Sequence, residues 1–226
     1  GYVKDPHVGS HDWVVSFDLN SLYPNLIVQY NMSPETLLKS DQGDVCIAAN
    51  GAAFTKKFQG MLPRIIINYS NERKAIKKDM LAAMQANQNN PSSDTEREIN
   101  RLENRQMAIK ILLNSLYGAL GNKYFRYFDQ SVAEAITTSG QLAILTAETA
   151  MNAEMNKILK SDKDYVIAID TDSLYVNFGP LVDKLKPKDI VKTLDTVCND
   201  HFTKALNKAY DELATKTNAY TNRMIM

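Results

Sequence analysis

Three observations predict a layered α+β or α/β fold rather than a helical bundle. Residues 165–169 and 174–178 are strand-like halves on either side of Asp170-Thr171-Asp172-Ser173, a hairpin with acids at its tip. Residues 13–19, Trp13-Val14-Val15-Ser16-Phe17-Asp18-Leu19, read as a buried strand. Between these regions lie two amphipathic helical patterns joined by a short polar tip, the signature of an inserted antiparallel helix pair.

In chain order, the first strand places Asp18 at its end, and Pro24 follows a short turn before Leu26-Ile27-Val28 opens a helix. From residue 69 to about 86, helical spacing puts Ile76, Met80, Ala83 and Met84 on one side and Arg73 and Lys77 on another. The stretch 87–93, Asn-Gln-Asn-Asn-Pro-Ser-Ser, is loop chemistry, and Ser93 with Glu96 forms a capping box for the returning helix. That helix carries the stripe Ile99, Leu102, Ile109, Leu113 and Leu116, so residues 63–124 read as one projecting hairpin. Gly118 and Gly121 break the pattern. Residues 129–160, rich in Ala133, Ala135, Ala143 and Ala147, predict a long helix lying against a sheet. Residues 188–216 are helical with a core face of Val191, Leu194, Val197, Phe202, Leu206 and Leu213, and residues 222–226 read as a strand.

With 226 residues and 44% hydrophobic content the chain can bury one good core with an appended subdomain. Its apolar runs fall short of the ~20 residues of a membrane span, and its start does not resemble a signal peptide. Cys46 and Cys198 lack metal-ligand spacing and make no disulfide framework, which suits a reducing, cytoplasmic setting. His7, His11 and His201 show no ligand spacing either. Net charge is zero, but the charges are sorted: residues 64–126 hold eleven Lys/Arg against six Asp/Glu, and residues 127–180 hold three against eight. A basic segment beside an acidic one suits a site where cations grip a polyphosphate and carboxylates hold a metal, although solvated helix faces give the same sums.

Alternation along a strand puts Asp170 and Asp172 side by side, with Asp18 a third acid 152 residues upstream of Asp170. Such a cluster wants a hard cation, and a pair of Mg²⁺ ions would relieve the repulsion while clamping a phosphoryl transfer. Lys110, Asn114 and Tyr117 fall at i, i+4 and i+7, presenting a cation, an amide and an aromatic on one helical face. Arg73 and Lys77 can face them from the other helix. One helix lysine is usually just solvated; three cations converging on an amide fit a triphosphate. An EF-hand starting at Asp170 is excluded because Leu174, Tyr175 and Leu181 stand where a ligand, Gly and Glu are required. An aspartic protease needs Asp-Thr-Gly, not Asp-Thr-Asp.

Asp18-Leu19-Asn20-Ser21-Leu22-Tyr23-Pro24, Lys110-Ile111-Leu112-Leu113-Asn114-Ser115-Leu116-Tyr117-Gly118 and Asp170-Thr171-Asp172-Ser173 resemble, in order, motifs A, B and C of family B DNA polymerases, most of all those of T-even-type phages. Arg73 and Lys74 match a fingers pair. The resemblance covers essentially the whole chain and implies an α+β fold: a palm of antiparallel sheet backed by helices in residues 1–62 and 125–226, with fingers inserted at 63–124. It implies two-metal nucleotidyl transfer from a dNTP to a primer 3′-hydroxyl. Asp18 and Asp172, with the carbonyl of Leu19, would hold two Mg²⁺, with Mn²⁺ as a substitute, and Asp170 would be a supporting acid. Arg73, Lys77 and Lys110 would grip the phosphates, with Asn114 nearby. Tyr117 would flank the nascent base pair, Gly118 would admit the template, and Tyr23 would exclude the ribose 2′-hydroxyl.

Implied partners are primer-template DNA, dNTPs and, through regions outside these residues, a sliding clamp and other replisome proteins; no membrane is implied, and the setting would be a bacterial host's cytoplasm. Ile169 replaces the small residue usual before motif C and is expected to alter only packing. The chain is expected to be a fragment lacking exonuclease, thumb and a further acidic palm strand, and by itself to have little or no polymerase activity. The rival is a non-catalytic nucleic-acid-binding domain that keeps a polymerase fold; intact Asp18 and Asp172 argue against it.

Overall fold

The computed structural model describes residues 1–39 and 43–226. Strand β1 (Val3–Lys4) and strand β2 (Val14–Asp18) precede helix α1 (Leu22–Gln29). The helix opens four residues before Leu26, so Tyr23 and Pro24 lie in its first turn, where proline has no hydrogen bond to break. Strands β3 (Leu37–Leu38), β4 (Val45–Ile47) and β5 (Ala53–Thr55) then form a small antiparallel sheet in the order β3-β5-β4.

Helices α2 (Met61–Asn89) and α3 (Ser93–Leu120) form the long hairpin that the hydrophobic stripes predict. Its tip is shorter than the expected loop at 87–93, since α2 runs on to Asn89, and the cap shifts by one residue: Ser92 accepts the Thr95 N–H at 3.1 Å, replacing the expected Ser93–Glu96 box. Asp94 and Glu96 remain in the first turn, where acids favour the helix dipole. Helix α4 (Gln130–Leu159) has the predicted extent, with the Asp129 side chain accepting the Val132 N–H at its start. Strands β6 (Val166–Asp170) and β7 (Ser173–Asn177) make the acidic hairpin. Helix α5 (Gly179–Leu185) follows, and the last helical region runs from Ile190 to Lys216, α6 (Ile190–Val197) and α7 (Thr203–Lys216) being joined through a π-helical turn at Cys198–Phe202. Residues 222–226 form no strand. They run beside α1, tied by the Arg223 N–H to Gln29 Oε1 at 2.8 Å and the Asn20 N–H to the Ile225 carbonyl at 3.1 Å.

The main sheet is antiparallel throughout, in the order β1-β6-β7-β2. This is the α+β alternative left open by sequence periodicity. The β6–β7 register shifts between Val166 and Ala168, and the displaced Ile167 carbonyl is satisfied by the His7 N–H at 2.8 Å. Helix α4 packs on β6 and β7, on α1 and on α7. Its Ala135, Ala143 and Ala147 are fully buried, which lets the other layers approach closely. Ile169 is buried at 1% exposure as a packing residue of β6, and the Ile169↔Leu174 pairing is regular.

The hairpin is anchored by buried polar groups. Asn31 donates to the carbonyls of Thr55 and Phe58 at 2.7 and 2.8 Å and accepts the Gly60 N–H at 2.8 Å. Gly60 caps α2 without a side chain of its own, and Glu35 accepts the Met61 N–H instead. Asn31→Ala would remove the partner of three backbone groups, two of them in buried hydrogen bonds, so urea unfolding should show a loss of about 3 kcal/mol. Ser92→Ala at the exposed tip should cost only about 1 kcal/mol.

Candidate active site

The site is built where two turns of the main sheet meet the base of the hairpin. Asp18, the last residue of β2, pairs with Ser173 of β7, and the Ser173 hydroxyl donates to Asp18 Oδ2 at 2.6 Å. One residue on, the Leu19 N–H donates to the Asp172 carbonyl at 2.8 Å. Main-chain bonds therefore fix two acid-bearing turns against each other.

Strand alternation does not extend into the β6–β7 turn. Thr171 takes φ +56°, held by its N–H to the Tyr2 carbonyl at 2.8 Å, and Asp172 N–H closes on the Asp170 carbonyl at 2.6 Å. A β-branched residue at positive φ stores on the order of 1–3 kcal/mol. Asp172 shares a cleft with Asp18, while Asp170, whose charge still acts on Asp172, lies outside its lining. Ser21, at φ +51°, makes a second left-handed turn just before Tyr23.

The cleft holds about 580 Å³. The sheet turns and α1 contribute Asp18, Leu19, Asp172 and Tyr23, and the hairpin contributes Arg73 and Lys77 from α2 and Lys110 and Asn114 from α3. Lys74 is exposed and outside the lining. Among the described residues, Arg73, Lys77 and Lys110 form no ion pair, whereas Arg97, Arg101 and Arg105 farther along the hairpin are paired with Asp94, Glu98 and Glu72. Three unneutralised cations thus share a cleft with two carboxylates.

Burial, and then repulsion from Asp18, raise the Asp172 pKa above the usual aspartate value, with a smaller contribution from Asp170. Among the described residues no three His, Cys, Asp or Glu side chains converge as a metal cluster. The chain offers Asp18 and Asp172, with Leu19 beside them.

Tyr117 lies behind this cleft, its ring stacked on Tyr23 with centroids 4.7 Å apart. It lines a neighbouring hollow of about 740 Å³ together with Lys123, Tyr124 and Phe128. Tyr124 is 85% exposed, with Lys123 Nζ 5.1 Å from its ring centroid. Sequence reasoning missed this hollow, although the alternating basic and aromatic run Lys123-Tyr124-Phe125-Arg126-Tyr127-Phe128 was a usable signal. It also missed buried Gln106, which accepts the Arg73 Nε–H at 3.1 Å across the hairpin; only the tertiary structure pairs those two.

An antiparallel sheet carrying paired acids is thus faced by a cationic helical hairpin. A family model for DNA polymerase family B matches residues 1–214, and the chain belongs to that family. It is 30% identical to the DNA-directed DNA polymerase of Escherichia phage RB69 and 29% identical to that of Enterobacteria phage T4, each match covering 100% of this chain and 32% of the relative. It is 34% identical to DNA polymerase 1 of Pyrococcus abyssi over 83% of this chain and 22% of that protein. The chain therefore spans about a third of the length of its phage relatives. No helix among the described residues is long and apolar enough to cross a membrane.

The raised Asp172 pKa fixes the sign of a stability effect. The folded state disfavours the carboxylate, so the penalty is absent below the ordinary aspartate range, grows as pH rises through it, and is full above the raised value. Asp172→Asn should therefore raise the melting temperature at neutral pH, and the gain should vanish in acid; a gain independent of pH would contradict this origin.

Proposed function

We propose that this chain is the palm and fingers of a replicative DNA polymerase, residues 1–62 and 125–226 forming the palm and 63–124 the fingers, and that it carries out template-directed transfer of a nucleotide from a dNTP to a primer 3′-hydroxyl. The observation that carries this reading is the shared cleft of Asp18 and Asp172 with unpaired Arg73, Lys77 and Lys110. Acids alone would bind a cation and bases alone a phosphate; together they fit a metal-bound triphosphate.

The donor set fits two Mg²⁺, with Mn²⁺ as a substitute. Asp18 and Asp172 are close enough to repel, and Mg²⁺ is commonly held by one or two carboxylates plus substrate phosphates, so a third convergent acid is not required. Asp18, Asp172 and the Leu19 carbonyl would be the protein ligands, with Asp170 a supporting acid outside the cleft. When bound, the ions supply activation of the 3′-hydroxyl and neutralise the leaving pyrophosphate.

The remaining steps belong to side chains. Arg73 offers its planar fork to phosphate while Gln106 fixes its orientation through Nε. Lys77 and Lys110 add point charges, and Asn114 adds an amide. Tyr23 lies under the deoxyribose and leaves no room for a 2′-hydroxyl, backed by Tyr117 against the nascent base pair. A Cβ on exposed Gly118 would meet no protein atom within 4 Å, consistent with room for the template. Lys123, Tyr124 and Phe128 suit unpaired template bases, since every base has a face to stack. Partners of the larger protein, a sliding clamp and other replisome components, would bind outside these residues, in a bacterial host's cytoplasm. The rival reading, a non-catalytic nucleic-acid-binding domain, leaves the costly pairing of Asp18 with Asp172 unexplained.

The test is primer extension with the protein expressed together with the flanking sequence its gene encodes. Asp18→Ala should reduce extension to background. Arg73→Ala should raise the dNTP KM about tenfold or more, the worth of one charge-assisted hydrogen bond. Unaltered extension by Asp18→Ala would overturn the reading.

A further inference from the structure

A glycine inside a helix weakens it relative to alanine, yet Gly140 stands buried in the middle of α4, where Ala135, Ala143 and Ala147 are also buried. Its backbone needs no positive φ, so conformational freedom is not the reason it is there. Space is the reason. A Cβ at position 140 would lie 3.2 Å from Tyr23 Cε1, inside ordinary van der Waals contact, and 3.5 Å from both Leu22 Cδ2 and Leu26 Cδ1. The Tyr23 ring has no free retreat, because Tyr117 is stacked on it at 4.7 Å between centroids with 33° between the planes. Leu22 and Leu26, on the same helix as Tyr23, are themselves 3% and 1% exposed. With Tyr117 and the buried leucines crowding the ring, the cleft is the open space it lines.

We propose that Gly140 is a positioning residue for sugar selection: by omitting a side chain it sets how far the Tyr23 ring stands into the nucleotide cleft. This rests on the reading of Tyr23 as the residue beneath the deoxyribose. Any side chain at 140 pushes the ring forward, so the space for the deoxyribose itself shrinks, and the triphosphate-binding side chains of the hairpin are untouched.

The experiment is a four-variant cycle in the protein expressed with its native flanking sequence: parent, Gly140→Ala, Tyr23→Val and the double variant. KM and kcat are measured for a dNTP and the matching ribonucleotide, with thermal unfolding alongside. In the Tyr23 background, Gly140→Ala should raise the dNTP KM about fivefold with kcat less affected, a displacement of a few tenths of an ångström being enough to misplace a substrate. In the Tyr23→Val background the same substitution should change KM less than twofold, within the scatter expected of uncoupled sites. If Gly140→Ala also lowers the melting temperature, that loss too should disappear beside Tyr23→Val. An equal effect in both backgrounds, or none in either, overturns the proposal. Tyr23→Val leaving ribonucleotide discrimination unchanged overturns the sugar-selection reading itself, an outcome separable from failure of the Gly140 coupling.

Discussion

The main-chain ladder between β2 and β7 is the constraint on which the rest of this protein depends. It registers Asp18 against Ser173 and continues into the Leu19–Asp172 hydrogen bond, forcing together two carboxylates from distant parts of the chain. Backbone hydrogen bonds are indifferent to side-chain charge, so the sheet can hold an arrangement that the acids would refuse by themselves. Burial, and then this repulsion, hold the Asp172 pKa above the usual aspartate value. A cation would relieve the repulsion, which is why the proposed reading assigns a metal to these two acids.

The hairpin solves the complementary problem. Arg73, Lys77 and Lys110 repel one another as well, and their positions are fixed by the α2–α3 packing of Ile76, Met80, Leu102, Ile109 and Leu113, all buried. The base of the hairpin is fastened by Asn31 and Glu35 rather than by apolar packing alone. Directional bonds of this kind specify how the cations face the acids, whereas a greasy joint would tolerate sliding. Farther out, the arginines have acidic partners and behave as ordinary solvated surface. The contrast between paired and unpaired cations along one hairpin is what the proposed triphosphate site rests on.

Much of this was legible in the sequence because periodicity reports burial directly. The stripes of α2 and α3, the span of α4 with Asp129 at its start, and both halves of the acidic hairpin follow from spacing alone. What could not be read depends on contacts between distant segments or on single-residue backbone choices. Strands β1, β3, β4 and β5 are two or three residues long, too short for alternation to register. The π turn at Cys198–Phe202 leaves no compositional mark in a continuous helical pattern. Thr171 in the left-handed region is one such backbone choice, because alternation assumes extended backbone through the turn. Residues 222–226 have strand-like composition, but their hydrogen bonds go to Gln29 and Asn20 instead.

Calorimetric titration of a dNTP into the protein, with Ca²⁺ as a non-reacting stand-in for Mg²⁺ and with chelator as control, tests most directly whether acids and cations act as one site. Binding should require the divalent ion and should be lost both in Asp18→Ala/Asp172→Asn and in Arg73→Ala/Lys110→Ala, since each removes one half of the complementarity. Equal affinity in chelator, or binding that survives loss of either half, would contradict the account.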